Sequence, residues 1–259
     1  MTGREVVDLI KKNTPGPWNE QSFRDTFKTG NPDSKVKGIA TTMMANFDVL
    51  KRANEAGLNM VIPHEDTWWN DRDDTKDLTA NPLYQMKSEY ILKNDMIIWR
   101  NHDALHSMKP DFTVLATLRA VGIKAGDEAS MHPPVYTIPE TTLGEFAPQV
   151  KRLTGSRAFR CVGDPKARIS RILLGPGYAT PRMTADADVV IGGEQQEADG
   201  GGDNVEYVTD AASLGMAKGV IMLGHVMSEQ PGMEDFATWL KGFVHDVPIR
   251  YIPNEEPFW

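Results

Sequence analysis

Short apolar runs alternate with stretches of helical period along this chain, and that order constrains the fold more than any other feature. Strand-like runs stand at 36–41, 58–63, 96–99, 158–162, 169–174, 188–191, 220–223 and 248–252. Between them lie an opening helix at 4–12, a helix capped by Asn46 with Phe47, Leu50 and Ala53 on one face, and a helix at 82–93. Asp111 is expected to cap another, and Thr142 with Glu145 forms a capping box before Phe146, Val150 and Leu153, although Pro148 should kink that helix. A helix at 206–217 follows, then a long one whose Met233, Phe236, Leu240 and Phe243 form a core-facing stripe. This alternation predicts an α/β fold of two lobes, each a mixed β-sheet flanked by helices. The aperiodic stretch 122–142, with Pro133, Pro134 and Pro139, is expected to join an N-terminal lobe, 1–125, to a C-terminal lobe, 126–259.

Bulk properties narrow the function classes. A formal charge of −8 argues against nucleic acid as the main partner, because phosphate backbones want a basic face. A local basic pocket for a phosphorylated small molecule is compatible with it. The single cysteine, Cys161, rules out an intramolecular disulfide framework and cysteine-rich zinc sites. Its AFRCV setting reads as a strand with a buried, inert thiol. No run of about 18 apolar residues is present to span a membrane. The opening MTGREVVDLIKK lacks the apolar stretch of a secretory signal, so the expected location is cytoplasmic, with an exported form whose signal has been removed left open.

Three of the apolar runs end in polar clusters, and these carry the functional signal. They are MVIPHE, MIIWRNHDALH and VIMLGHVMSE, which hold His64 and Glu65, His102, Asp103 and His106, and His225 and Glu229. In an open α/β sheet, residues just beyond the carboxyl ends of strands converge on one crevice. Imidazole with carboxylate suits zinc, manganese, iron, cobalt or nickel rather than calcium. Each cluster also has a bland alternative: Glu229 as an acid serving a first helical turn, His102 and His106 as surface residues of a loop, His64-Glu65-Asp66 as a strand end entering an acidic loop. Glu194, after a strand and two glycines, reads equally as a cleft acid or a solvated turn residue. His132 and His245 read as surface residues. The pair Gly175 and Gly177 is too short for a dinucleotide fingerprint, and the loop at 200–202 lacks the Lys-Ser/Thr of a phosphate loop.

The segment VKGIATTMMANFDVLKRANEAGLNMVIPHE, then IIWRNHDALH, then RISRILLGPG, ADVVIGGE and VIMLGHVMSE, resembles in order the motifs of the NGG-one-interacting factor three family, also known as GTP cyclohydrolase I type 2 homologues. The resemblance spans residues 36–243, and its GHxxSE element is the most specific. It implies two related α/β lobes, a dinuclear metal site in the cleft between them and a toroidal homohexamer. By resemblance the ligands are His64, Glu65, His106, His225 and Glu229, with His102 as a further candidate. Glu65 stands where the family has a histidine and His106 where it has an aspartate, so three imidazoles and two carboxylates are kept in an altered order.

Two divalent transition-metal ions at such a site, sharing a water and bridged by a carboxylate such as Glu229, suit hydrolysis of a small polar substrate, a purine-type ring or a phosphate ester. Asp103, Glu194 and Asp66 are candidates for moving protons. Trp68, Trp69 and Trp99 can stack a planar substrate or pack in the core. The alternative is a non-catalytic metal-binding protein with an interaction or regulatory role.

Overall fold

The computed structural model describes residues 1–126, 128–197 and 203–259. The expected loop at 200–202 lies outside the described residues. In chain order the first elements are α1 (Gly3–Asn13), β1 (Phe27–Thr29), β2 (Ile39–Thr42), α2 (Phe47–Glu55), β3 (Met60–Pro63), α3 (Pro82–Lys93), β4 (Ile97–Trp99) and α4 (Asp103–Ser107). There follow α5 (Phe112–Ala120), β5 (Tyr136–Thr142), α6 (Leu143–Thr154), β6 (Arg160–Gly163), β7 (Arg168–Gly175), β8 (Val189–Gly192), α7 (Asn204–Ser213), β9 (Gly219–Met222), α8 (His225–Leu240) and β10 (Ile249–Tyr251). No helix among the described residues is long and apolar enough to cross a membrane.

The chain divides into two compact units: Met1–Met108 with Met233–Asn254, and Lys109–Gly232 with Glu255–Trp259. This differs from a division at 125/126 for two reasons. Helix α5 belongs with the later elements, because Val114 and Leu118 join the core of Phe146, Val150, Ile172 and Ile191. The chain also returns to the first unit, where β10 pairs in parallel with β2 as the sheet's edge strand.

The first unit holds a sheet of order β1-β4-β3-β2-β10, parallel except for β1. Strands β2, β3 and β4 are buried throughout, as strands covered on both faces must be. Asn46 caps α2 by accepting the Val49 N–H at 2.9 Å, and Val49, Leu50 and Ala53 pack against Val61 and Ile98. Trp68 and Trp99 are core residues, about 2% and 1% exposed, while Trp69 is about half exposed.

The second unit holds a sheet of order β5-β7-β8-β9-β6, with a parallel centre and antiparallel edges. The Thr142–Glu145 capping box forms, and α6 continues through Pro148 with Leu143, Phe146, Ala147 and Val150 buried. Cys161 corrects the expectation of a buried thiol: it is exposed, because β6 is an edge strand that leaves one face to solvent.

Candidate metal centre

In the first unit, the parallel strands β3 and β4 end side by side and deliver their following residues to one edge. The Asn101 N–H donates to the Pro63 carbonyl at 3.0 Å, continuing the ladder past β4. His64 is fully buried there, and its Nδ1 stands 3.2 Å from the Asn101 carbonyl. A carbonyl only accepts, so Nδ1 is the protonated nitrogen and Nε2 is the one with a lone pair to offer a cation. His102 immediately precedes α4 and His106 lies in its last turn, so one short helix carries both. The rings of His64 and His102 stack at 4.4 Å, and His106 meets them edge-on at 5.0 and 4.8 Å. One ligand atom from each of the three lies within 4.8 Å of the other two.

The groups behind these rings orient them. His102 Nδ1 is 2.9 Å from Asp103 Oδ1, the carboxylate–histidine pairing that directs Nε2 at a metal. Asp103 also accepts from Ser22 Oγ at 2.7 Å and from Arg24 at 3.2 Å, and these contacts with His102 first among them hold its carboxyl far below the usual range. Asp25, buried beneath α4, accepts the N–H groups of His102, Asp103 and Ala104 at 2.5, 3.1 and 2.9 Å. Arg100 is fully buried; it donates to the His64 carbonyl at 2.9 Å and to Glu65 Oε2 at 2.8 Å. The other Glu65 oxygen is 3.9 Å from His102 Nε2. Burial, then the neighbouring His102 and His106, pushes the His64 imidazole well below its usual pKa, so it stays neutral and able to bind a cation. Three clustered imidazoles, two of them with an engaged outer nitrogen, fit a borderline divalent metal.

The second unit carries its own donors at the carboxyl ends of β7, β8 and β9. Helix α8 begins at His225, so His225 and Glu229 lie one turn apart, with Nε2 2.9 Å from Glu229 Oε2. Glu194, two residues beyond β8, places Oε1 3.5 Å from His225 Nδ1. The turn after β7 brings Gly177 so close that a Cβ there would lie 2.4 Å from Glu229 Oε1 and 2.9 Å from His225 Nε2. Gly177 has φ +56°, a conformation that suits glycine. Ser228 ties the turn to the helix, accepting the Gly177 N–H at 2.9 Å and donating to the His225 carbonyl at 2.7 Å.

Asp66 is half-buried, and desolvation followed by the charge of Asp73 raises its pKa. His132 and His245 are exposed, as their settings predicted. Sequence reasoning missed Asp25, Arg100, Asp103 as an orienting group, and Ser228. A cation directly after a buried strand was a readable signal for Arg100, and the serine of GHxxSE for Ser228. Asp25, remote in sequence from α4, offered none.

Two mixed α/β units carry histidine and carboxylate side chains at the carboxyl ends of parallel strands, and those of the first unit include a group that could hold a metal ion. The chain belongs to the Duf34/NIF3 (NGG1p interacting factor 3) family, whose model matches residues 1–257. Among solved structures it is similar to Staphylococcus aureus protein SA1388 (TM-score 0.74, 17% identity, covering 100% of this chain and 99% of that one). It is also similar to a Bacillus cereus protein related to NIF3 (0.74, 13%, 100% and 99%) and to reduced HcgD from Methanocaldococcus jannaschii (0.67, 16%, 99% and 98%). At these identities the likeness is one of fold. No curated protein matches the chain.

Proposed function

We propose that this protein is a metal-dependent hydrolase acting on a small polar substrate, a purine-type ring or a phosphate ester. The observation that carries this reading is the convergence of His64, His102 and His106, with Asp103 and the Asn101 carbonyl engaging the outer nitrogens of two of them. His64, His106 and Glu65, joined by His102, would hold one divalent ion. His225 and Glu229 would hold a second. When bound, such ions supply Lewis-acid polarisation and lower the pKa of water, so no serine or cysteine nucleophile is required.

The chain's own groups divide the remaining work. Glu194, 3.5 Å from His225 and less enclosed than Glu229, is the proton carrier. Asp103, held ionised by His102, Ser22 and Arg24, is a weak base and acts as the positioning residue for His102. The reading includes a homo-oligomer, the toroidal hexamer that the resemblance implies; light scattering on the purified protein tests it, and a monomer counts against it.

Metal content after reconstitution tests the central claim. Two equivalents per chain and metal-dependent turnover lost in His225→Ala, with the fold intact, are expected. Less than one equivalent removes the basis of the reading. Metal that raises the melting temperature without turnover on a broad hydrolase panel favours the non-catalytic alternative.

A further inference from the structure

We propose that Asn101 is a ligand-binding residue of the first unit's candidate metal centre: its carboxamide holds a small oxygen ligand, water or a carboxylate, beside the three imidazoles. The proposal rests on the reading of His64, His102 and His106 as metal donors and goes beyond it by assigning a role to a residue that is not one of them.

The first observation is a buried amide that the protein does not use. Asn101 is fully buried, and neither Nδ2 nor Oδ1 of its side chain has a hydrogen-bond partner among the described residues. Structural amides in the same unit are treated otherwise. Asn59 donates to the Lys35 and Asp95 carbonyls at 3.0 and 3.2 Å and accepts the Lys37 N–H at 2.7 Å. Asn254 accepts the Met44 N–H at 2.8 Å and donates to the Met44 carbonyl at 3.0 Å. Burying an amide without such bonds is costly, and a residue that served only packing would be better as leucine. A buried polar group left over by the protein points to a partner that is not protein.

The second observation is direction. The Ile97 N–H donates to the Asn59 carbonyl and the Asn101 N–H to the Pro63 carbonyl, the same four-residue step on both strands, so the parallel ladder runs on to Asn101. Continuing the register of Met60 with Ile97 pairs His64 with Asn101. Register partners on adjacent strands project to the same face, and their backbones lie about 4.8 Å apart. Arg100 alternates to the other face, where it meets Asp71 at 3.2 Å. Asn101 is therefore the strand neighbour of His64 and the chain neighbour of His102, two of the three clustered rings. Its Nδ2 can donate to a carboxylate oxygen and its Oδ1 can accept from water, and it adds no charge to the donor set.

The test compares the full wild-type chain with Asn101→Leu, close to asparagine in size, and with the smaller Asn101→Ala. In urea unfolding of metal-free protein, Asn101→Leu should match or exceed the wild-type midpoint, because it removes two polar atoms that no protein group satisfies. A marked fall would mean that the carboxamide has partners within the protein and would overturn the proposal. Cobalt serves as the spectroscopic metal, and absorption bands that persist in His225→Ala report on the first unit. Acetate should shift those bands in wild type, and both Asn101 variants should keep the bands but bind acetate about tenfold more weakly or worse. Acetate affinity unchanged in both variants, or no acetate binding by wild type, overturns the proposal and leaves the metal reading in place. Absence of first-unit bands in wild type removes the metal reading and the proposal with it. Acetate binding that depends on Asn101, in a protein without metal-dependent turnover, would sink the hydrolase reading and leave the proposal standing.

Discussion

Asp25 supports the helix that carries His102 and His106 from outside it, and its substitution gives a quantitative test of the first unit's candidate site. Its carboxylate accepts three backbone N–H groups at the start of α4, the segment that carries His102 and His106. Oδ1 takes His102 and Asp103, and Oδ2 takes Ala104. Asp25→Ala strands all three donors in a buried setting; at roughly 1 kcal/mol each, the loss is about 3 kcal/mol. Asp25→Asn keeps Oδ1 but turns an NH2 toward the Ala104 N–H, so the loss falls to about 1–2 kcal/mol. The assay is urea unfolding of metal-free protein followed by tryptophan fluorescence. Five of the six tryptophans, Trp18, Trp68, Trp69, Trp99 and Trp239, lie in the unit that contains Asp25, so the signal reports on that unit. Zinc affinity, measured by chelator competition, should fall about tenfold or more in Asp25→Ala, because outer-partner losses at metal sites cost that much. An Asp25→Ala protein within about 0.5 kcal/mol of wild type and with unchanged zinc affinity would refute the reasoning.

Lys87 and Gly177 give two further tests. The Lys87 ammonium is buried against Trp68 and Trp69 and donates to the Thr67 carbonyl at 2.6 Å; desolvation lowers its pKa to about 8 from an unfolded value of 10.5. The native state sheds this proton first, so the penalty for burying the charge applies below about pH 8 and is relieved as pH rises from there toward 10.5. In urea titrations the stability of wild type relative to Lys87→Met should therefore rise by up to about 3 kcal/mol across that window, and a flat difference would contradict the assignment. Gly177→Ala places a Cβ against Glu229 and His225 at a left-handed φ, so it should destabilise by about 1–3 kcal/mol and lower metal stoichiometry. Unchanged metal content in that variant would show that the turn does not shape the second donor set.

What the sequence disclosed and what it concealed follow one physical division. Interactions made within a few residues leave a readable pattern: the caps at Asn46 and Asp111, the Thr142–Glu145 box, and the boundaries of α3 and α6 all match their local signals. The candidate donor residues were legible for the same reason, since a buried strand that runs into histidines is conspicuous. Strands β1 and β5 were not, because β1 is three partly exposed residues and β5, YTIPETT, carries Pro139 and mostly exposed or half-buried side chains on a sheet edge. Edge strands need no apolar alternation, so periodicity has nothing to detect. The groups that orient the donors are hidden further still. Asp25 meets α4 across more than seventy residues of sequence, and Ser228 meets Gly177 across about fifty. Metal affinity depends on this outer layer as well as on the donors. A chain that exchanges histidine and carboxylate among its donors can therefore keep a metal site only if those distant partners suit the new order. Here Arg100 pairs with Glu65 at 2.8 Å, one of the two positions where the resemblance implies an exchange, and Asp103 pairs with the neighbouring His102 at 2.9 Å.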